Sequence, residues 1–358
     1  MRKIITILPS LSIGGAEKVA LNLAINYSNS DFKSILVVIG NRIENQYLTE
    51  LEKARIECHF LGIEGKVSLN KIRKFIHDLD ALNPDIVHVH LDLVYSWIWA
   101  IIRRRKIYFT IHNQPYRIVS KSTKFFSRIL ESMEKITWIA VSDIIKKEAL
   151  ELLPIKSTVY VVNNPIDLSL YYRSLKSRDT VALINVGRFN RIKRQDLIIK
   201  AFTDVHKKWN NSELILVGDG EELEKCRKLA CELGVADSTI FTGNSNRVQD
   251  YLAASDLYIS ASDTEASPVS IVEAMASHLP IIATNVGGVS ELVSDNGILI
   301  KKDDKDELVK AILELLNNTS KKDQMGNSSY RKSREYSIEN SVSRYMEIFE
   351  NETTDSKH

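Results

Sequence analysis

Short runs of consecutive apolar residues recur along almost the whole chain. They are separated by stretches whose apolar positions fall three or four apart. In the first half the runs are KIITIL, SILVVI, ECHFL, DIVHVH, IYFTI, WIAVS and TVYVV; in the second they are VALINV, ELILVG, TIFTG, LYISAS, PIIAT and GILI. Between runs, Ala16, Val19, Ala20, Leu23 and Tyr27 line one helical face, as do Leu223, Cys226, Leu229, Ala230 and Leu233. Strands that are apolar throughout and alternate with helices predict parallel sheets covered on both faces. The pattern lapses at NNPIDLSLYYRSLKSRD, residues 163–179, which is polar and turn-rich around Pro165, and restarts at VALINVGR. This predicts two doubly wound α/β domains, 1–163 and 164–334, with ligands bound in a cleft at the carboxyl ends of their strands. From about residue 319 the chain is charged and helical, with no strand. Its last helix, about 335–358, could pair with its predecessor in solvent or cross back to brace the first domain.

Composition narrows this picture. A length of 358 residues with 44% hydrophobic content suits two cores. Cys58, Cys226 and Cys231 form no C-x-x-C pair, and so sparse and odd a count suits a reducing cytoplasm. The start MRKIITILPSLSIGGAE is basic and then apolar, but it lacks a small-residue cleavage site and reads better as a first strand than as a signal. The longest apolar stretch, LVYSWIWAII (93–102), is far too short to span a bilayer. Net charge is only +2, yet residues 1–165 hold 23 Lys and Arg against 16 Asp and Glu, and residues 166–358 hold 25 against 30. The basic half could face an anionic surface; chance asymmetry is the plainer reading.

Four stretches carry candidate chemistry. In TEASPVSIVEAMA (264–276), Ser267-Pro268 has the form of an N-cap followed by proline at the first helical position. A helix starting there offers unpaired amides and a partial positive charge to a phosphate. Glu265 lies just before it and Glu273 just inside it, so two acceptors flank the phosphate site, as the ribose and sugar of a nucleotide-sugar would require. The plainer reading makes Glu265 a surface residue and Glu273 a paired core glutamate. In NVGRFNRIKRQDLIIKAF (185–202), Gly187 ends a strand and a helix begins near Gln195, which places Arg188 and Lys193 in a connection suited to a diphosphate. Arg191 and Arg194 read as solvated surface charge. In SIGGAEKVALNLA (12–24), Gly14-Gly15 permits close backbone approach but is not G-x-G-x-x-G, so a dinucleotide site is not expected. In FTIHNQP (109–115), His112 directly follows a strand; such a histidine is often structural. His88 and His90 alternate within DIVHVH with no third ligand nearby in sequence, which argues against zinc. No persuasive D-x-D is present, since Asp304 and Asp306 look like an acidic helix start. No metal, cofactor or nucleic-acid partner is therefore expected.

These motifs, in this order, resemble the retaining glycosyltransferases of family 4, whose fold is GT-B: two doubly wound Rossmann-like domains facing a central cleft. The resemblance covers nearly the whole chain and is most specific from VGRFNRIKRQD through TEASPVSIVEAMA to PIIATNVGGVSELV. It implies that Glu273 holds the donor ribose and Glu265 the donor sugar. It implies that Arg188 and Lys193 grip the diphosphate, assisted by the backbone of Ser267, Pro268 and Val269. Gly15 would approach the donor from the first domain, and His112 would lie near the transferred sugar. His112, Arg188, Lys193 and Glu265 are thus the implied catalytic set. The family's common E-G-F-G is E-A-S-P here, a variant that resembles bacterial surface-polysaccharide enzymes, and its N-G-V-D hinge is NNPID. The implied reaction moves a sugar, with UDP the expected nucleotide, to a glycan or polyprenyl-linked saccharide. The implied place is the cytoplasm, at the inner face of the membrane if the basic half docks there. A nucleotide-sugar epimerase of the same fold and a non-catalytic sugar-binding protein are the alternatives.

Overall fold

The structure is a computed structural model that describes residues 1–12, 14–28, 31–92, 94–112, 114–174 and 180–354. Ile13 and Asn113 of the motifs above, Leu93, residues 175–179 of the connecting stretch and residues 355–358 of the last helix lie outside the described residues. The chain divides into two compact units, Met1–Pro165 together with Ile338–His358, and Ile166–Ser337.

The first unit holds seven parallel strands: β1 (Arg2–Leu8), β2 (Phe32–Val38), β3 (Glu57–Phe60), β4 (Ile86–His90), β5 (Ile107–Ile111), β6 (Ile136–Ala140) and β7 (Val159–Val161). Their spatial order is β3-β2-β1-β4-β5-β6-β7. The second unit holds six: β8 (Val181–Val186), β9 (Ser212–Val217), β10 (Thr239–Gly243), β11 (Leu257–Ser260), β12 (Ile281–Thr284) and β13 (Gly297–Ile300), in the order β10-β9-β8-β11-β12-β13. Both are doubly wound sheets. In each, the direction of winding reverses between the first and fourth strands, which is where such sheets open to ligands.

Burial on both faces explains the uninterrupted apolar runs. In the second unit Leu183, Leu214, Leu216, Leu257 and Ile259 pack on one side with Ile199, Phe202 and Ile312. Ala182, Ile184, Ile215, Val217 and Tyr258 pack on the other with Ile271, Val272 and Met275. In the first unit Leu8, Leu36 and Val38 meet Ala20, Leu21, Ala24 and Leu51, and Trp97, Phe109 and Trp138 stack edge to face with centroids 5.4–5.9 Å apart.

The two helices of the tail part company. Thr319–Ser333 belongs to the second unit, and Ile338–Thr354 packs on the first. Tyr345 and Phe349 of the last helix sit 6.1 and 5.8 Å from the Tyr27 ring. Its Glu352 accepts from Lys106 Nζ at 2.6 Å and from Tyr160 OH at 2.8 Å. Among the described residues no helix is long and apolar enough to cross a membrane.

Candidate active site

In the second unit the loops after β8 and β11 flank the point where winding reverses. Backbone and side chains knit them together. Ile192 O accepts from Asp263 N at 2.8 Å, and Lys193 Nζ donates to Glu265 Oε1 at 2.5 Å. The Lys193 and Glu265 side chains are only 23% and 11% exposed, so this is a largely desolvated ion pair. Breaking such a pair by removing one partner leaves the other charge buried and costly. Arg188, in the same loop, is 71% exposed and reaches only a loose 3.6 Å pair with Glu221. It is a cation of this loop that no close ion pair holds.

The loop's shape is set by a glycine pair that sequence reading passed over. Gly218 and Gly220, in VGDG after β9, have φ of +135° and +152°. A β-carbon at Gly218 would stand 2.1 Å from the Gly187 carbonyl oxygen, and one at Gly220 would stand 2.2 Å from that of Phe189. Phe189 N donates to Asp219 O at 2.9 Å, and Glu222 N donates to Phe189 O at 3.1 Å. Only glycine allows this approach. The signal available in the sequence was the G-D-G spacing directly after an apolar run.

Two readings of these loops need correction. Arg194 is not a solvated charge. It is 22% exposed and bonds Asp196 at 3.0 Å, Asp263 at 3.4 Å and also Asp303, so it clamps three segments. The helix of the E-x7-E stretch runs Val269–Ala276, with Pro268 as the extended residue ahead of it and no side-chain cap. Proline therefore sits one place earlier than the first helical position, and the amides of residues 269 and 270 lie outside the intrahelical ladder. Arg191, 88% exposed, is as solvated as expected.

Glu273 is half-buried on that helix. Tyr171, which sequence reading also missed, donates its hydroxyl to Glu273 Oε1 at 2.7 Å. Burial, and then the charge of Glu273, push the Tyr171 pKa far above its ordinary value, so this hydroxyl stays a donor. The backbone of Glu265 is fixed by Gly288 N, which donates to its carbonyl at 3.1 Å.

The first unit assembles a different kind of site. His88 and His90 end β4, and His112 follows β5, where register pairs His88 with Tyr108 and His90 with Thr110. All three imidazoles are buried. His90 Nδ1 lies 2.6 Å from His112 Nε2, and His90 Nε2 lies 3.2 Å from His88 Nδ1. The third imidazole that sequence spacing hid is thus adjacent. Even so, among the described residues no group of three or more His, Cys, Asp or Glu side chains is placed to hold a metal ion. Burial holds all three in the neutral form. It lowers His88 and His90 well below the usual range, and it lowers His112 to about 4 against an opposing effect of Asn164. Gly14, extended, precedes the helix Gly15–Asn26, and the Glu17 carboxylate folds back over it.

Two doubly wound units, each with charged or polar loops at the carboxyl ends of its strands, define the GT-B class. The family description "Glycosyl transferases group 1" matches residues 173–332, and "Glycosyltransferase Family 4" matches residues 13–170. The chain belongs to this family of nucleotide-sugar-dependent glycosyltransferases, which are retaining and metal-independent. The chain is 28% identical over 296 residues, 77% of each chain, to N-acetyl-alpha-D-glucosaminyl L-malate synthase of Bacillus anthracis. It is 26% identical to the capsular polysaccharide biosynthesis glycosyltransferase CapH of Staphylococcus aureus, over 82% of this chain and 84% of the relative. Among solved structures, Anabaena HepE in complex with UDP-glucose superposes with a TM-score of 0.84 at 21% identity, covering 98% of this chain and all of that one.

Proposed function

We propose that the chain transfers a hexose from a UDP-sugar to a glycan or lipid-linked saccharide in the building of a cell-surface polysaccharide, working in the cytoplasm. The observation that carries this is the joined pair of loops in the second unit. They set Arg188, Lys193, a helix start and two glutamates within one patch. In this reading residues 164–334 bind the donor and residues 1–163 serve the acceptor. CapH and the UDP-glucose complex of HepE support the acceptor class and the nucleotide.

Breaking the bond between anomeric carbon and phosphate leaves charge on the diphosphate. Arg188, Lys193 and the amides of Val269 and Ser270 at the helix start stabilise that charge where it develops. Lys193 can exchange its Glu265 partner for phosphate oxygen, which frees Glu265 to accept from sugar hydroxyls. Glu273, oriented by the Tyr171 hydroxyl, accepts from ribose. Gly15, which opens the helix after β1, and His112, which follows β5, are the residues this reading assigns to the first unit. The leaving phosphate takes the acceptor proton, so no enzymic base is assigned. The test is turnover of a panel of nucleotide-sugars, including slow donor hydrolysis, with and without EDTA. Absence of both binding and hydrolysis across the panel overturns the donor reading. Isomerised sugar without transfer would identify an epimerase.

Peripheral membrane contact belongs to the same proposal, and one observation favours it. The helix Lys121–Ser132 buries Thr123, Ser127 and Leu130 and leaves Phe125 58% exposed beside exposed Lys121 and Arg128. The basic run Arg103-Arg104-Arg105-Lys106 contributes less, because Arg103 pairs with Asp80 and Lys106 with Glu352. Flotation with anionic liposomes at low salt tests it, and no association there removes the membrane from the reading.

A further inference from the structure

Lys193 and Arg194 are neighbours in sequence and are held in different ways. Among the described residues Lys193 pairs with one carboxylate, Glu265 Oε1 at 2.5 Å. Arg194 pairs with three. Its Nε donates to Asp196 Oδ1 at 3.0 Å, and its Nη1 donates to Asp263 Oδ1 at 3.4 Å and also to Asp303. Two further cations join this network: Lys200 lies 3.2 Å from Asp196, and Lys302 lies 3.5 Å from Asp263. Three carboxylates are thus matched by three cations. An anion that drew the Arg194 guanidinium away would unbalance all three acids at once, whereas drawing Lys193 away releases only Glu265. Lys193 is therefore the exchangeable cation of the two, and Arg194 the fixed one.

The backbone sets this division. Asn190 Oδ1 accepts from the amides of Ile192 and Lys193, both at 3.1 Å. Arg194 then takes the left-handed conformation, φ +52° and ψ +41°, directly ahead of the helix Gln195–Lys208. A residue with a side chain is disfavoured there and persists where its surroundings over-determine it, as the three carboxylates do here. Successive side chains of the β8 loop meet acids two positions apart in the β11 loop, Lys193 at Glu265 and Arg194 at Asp263. Asp303 brings in the loop after β13. The β8 and β11 loops are consequently joined by one contact that must open for Lys193 to meet a phosphate, and by others that need not: Arg194 to Asp263, and Asp263 N to Ile192 O at 2.8 Å.

We infer that Arg194 is a positioning residue for the transfer: by tying the β8 loop to the loops after β11 and β13, it keeps the Lys193 ammonium in place at the diphosphate once that ammonium has left Glu265. The inference rests on the proposed role of Lys193 in holding the donor. Arg194 itself touches no substrate; it acts through Lys193. A fixed cation stabilises a diphosphate without reorganising, and one on a loosened loop loses that advantage.

The test is a double-mutant cycle on the full chain, read by calorimetry with UDP. Arg194→Gly removes the guanidinium while glycine adopts the left-handed turn freely, so the backbone path is kept. It should weaken UDP by about fivefold in the wild-type background. In a Lys193→Ala background the same change should cost less than about twofold, because the group it positions is already gone. A merely structural role would cost the same in both backgrounds. Arg194→Lys, which keeps the charge but lacks the fork that reaches several carboxylates, should fall between wild type and Arg194→Gly. If Arg194→Gly does not fold, Asp303→Asn, which removes one partner of the clamp, should show the same dependence on Lys193 with a loss of about twofold to threefold. Equal losses in the two backgrounds, or wild-type UDP affinity in Arg194→Gly on an intact fold, overturn the inference and leave the donor reading standing. A wild type that binds no UDP overturns the donor reading, and the positioning role falls with it.

Discussion

The two units wind their sheets in the same order and equip the reversal points in opposite ways. Around β8 and β11 the second unit gathers charge: Lys193 on Glu265, exposed Arg188, Arg194 among three aspartates. Around β4 and β5 the first unit buries neutral imidazoles in a line of hydrogen bonds. The difference fits a division of work. A departing diphosphate needs fixed positive charge, and that charge can be held half-exposed by exchangeable partners. In the first unit, full burial keeps the imidazoles neutral and leaves them to bond one another.

The largest effect should come from the charged half. Lys193→Ala and Arg188→Ala should each lower turnover by ~10²-fold or more, since each removes a donor to developing charge. Steady-state rates on a circular-dichroism-checked fold measure this, and near-normal turnover would take that residue out of the mechanism. Gly218→Ala attacks the same loop through the backbone. Its β-carbon would collide with the Gly187 carbonyl at 2.1 Å, so stability of the second unit should fall by about 2 kcal/mol or more, seen as a shifted denaturation midpoint. A midpoint equal to wild type would mean that the loop is not held by this approach.

The neutral half is exposed by acid. His88, His90 and His112 have depressed pKa values in the fold. Below the unfolded value of about 6.5 the unfolded chain therefore binds protons that the folded chain does not. Stability should fall as pH drops from about 6.5 to 4.5, by ~1.4 kcal/mol per pH unit for each such histidine. Carboxylates with lowered pKa, such as Glu57 and Asp196, act mainly below that window. Trp97, Trp99 and Trp138 are buried in the first unit, so fluorescence-detected melts report it. A melting temperature flat between pH 6.5 and 4.5 would contradict neutral burial.

Finer cuts separate the two glutamates. Glu273→Gln should weaken UDP itself by about tenfold, whereas Glu265→Gln should lower turnover and leave UDP affinity nearly unchanged. Calorimetry with UDP beside donor turnover reads both, and equal losses would refute the division. The smallest effect expected is Tyr171→Phe, which frees one oxygen of Glu273. About a fivefold loss of UDP affinity corresponds to one neutral donor's worth of ~1 kcal/mol, and no change would make the hydroxyl incidental.

The fold was legible because parallel strands buried on both faces must be apolar throughout, and the lapse of that pattern at residues 163–179 separates two such sheets. The E-x7-E stretch was legible in kind, since its acids, proline and apolar stripe are local signals, but its helix start was read one residue early. Other features lay beyond the sequence. Tyr171 meets Glu273 across 102 positions, and Lys193 meets Glu265 across 72. Gly218 matters only because another loop's carbonyl lies against it. His88 and His90 were read apart from His112, and only laying β4 and β5 side by side brings the three imidazoles together. Periodicity records which residues must leave water, and a chain carries that record locally. Which buried polar groups then satisfy one another depends on strand order and register, and these exist only once the sheet has formed.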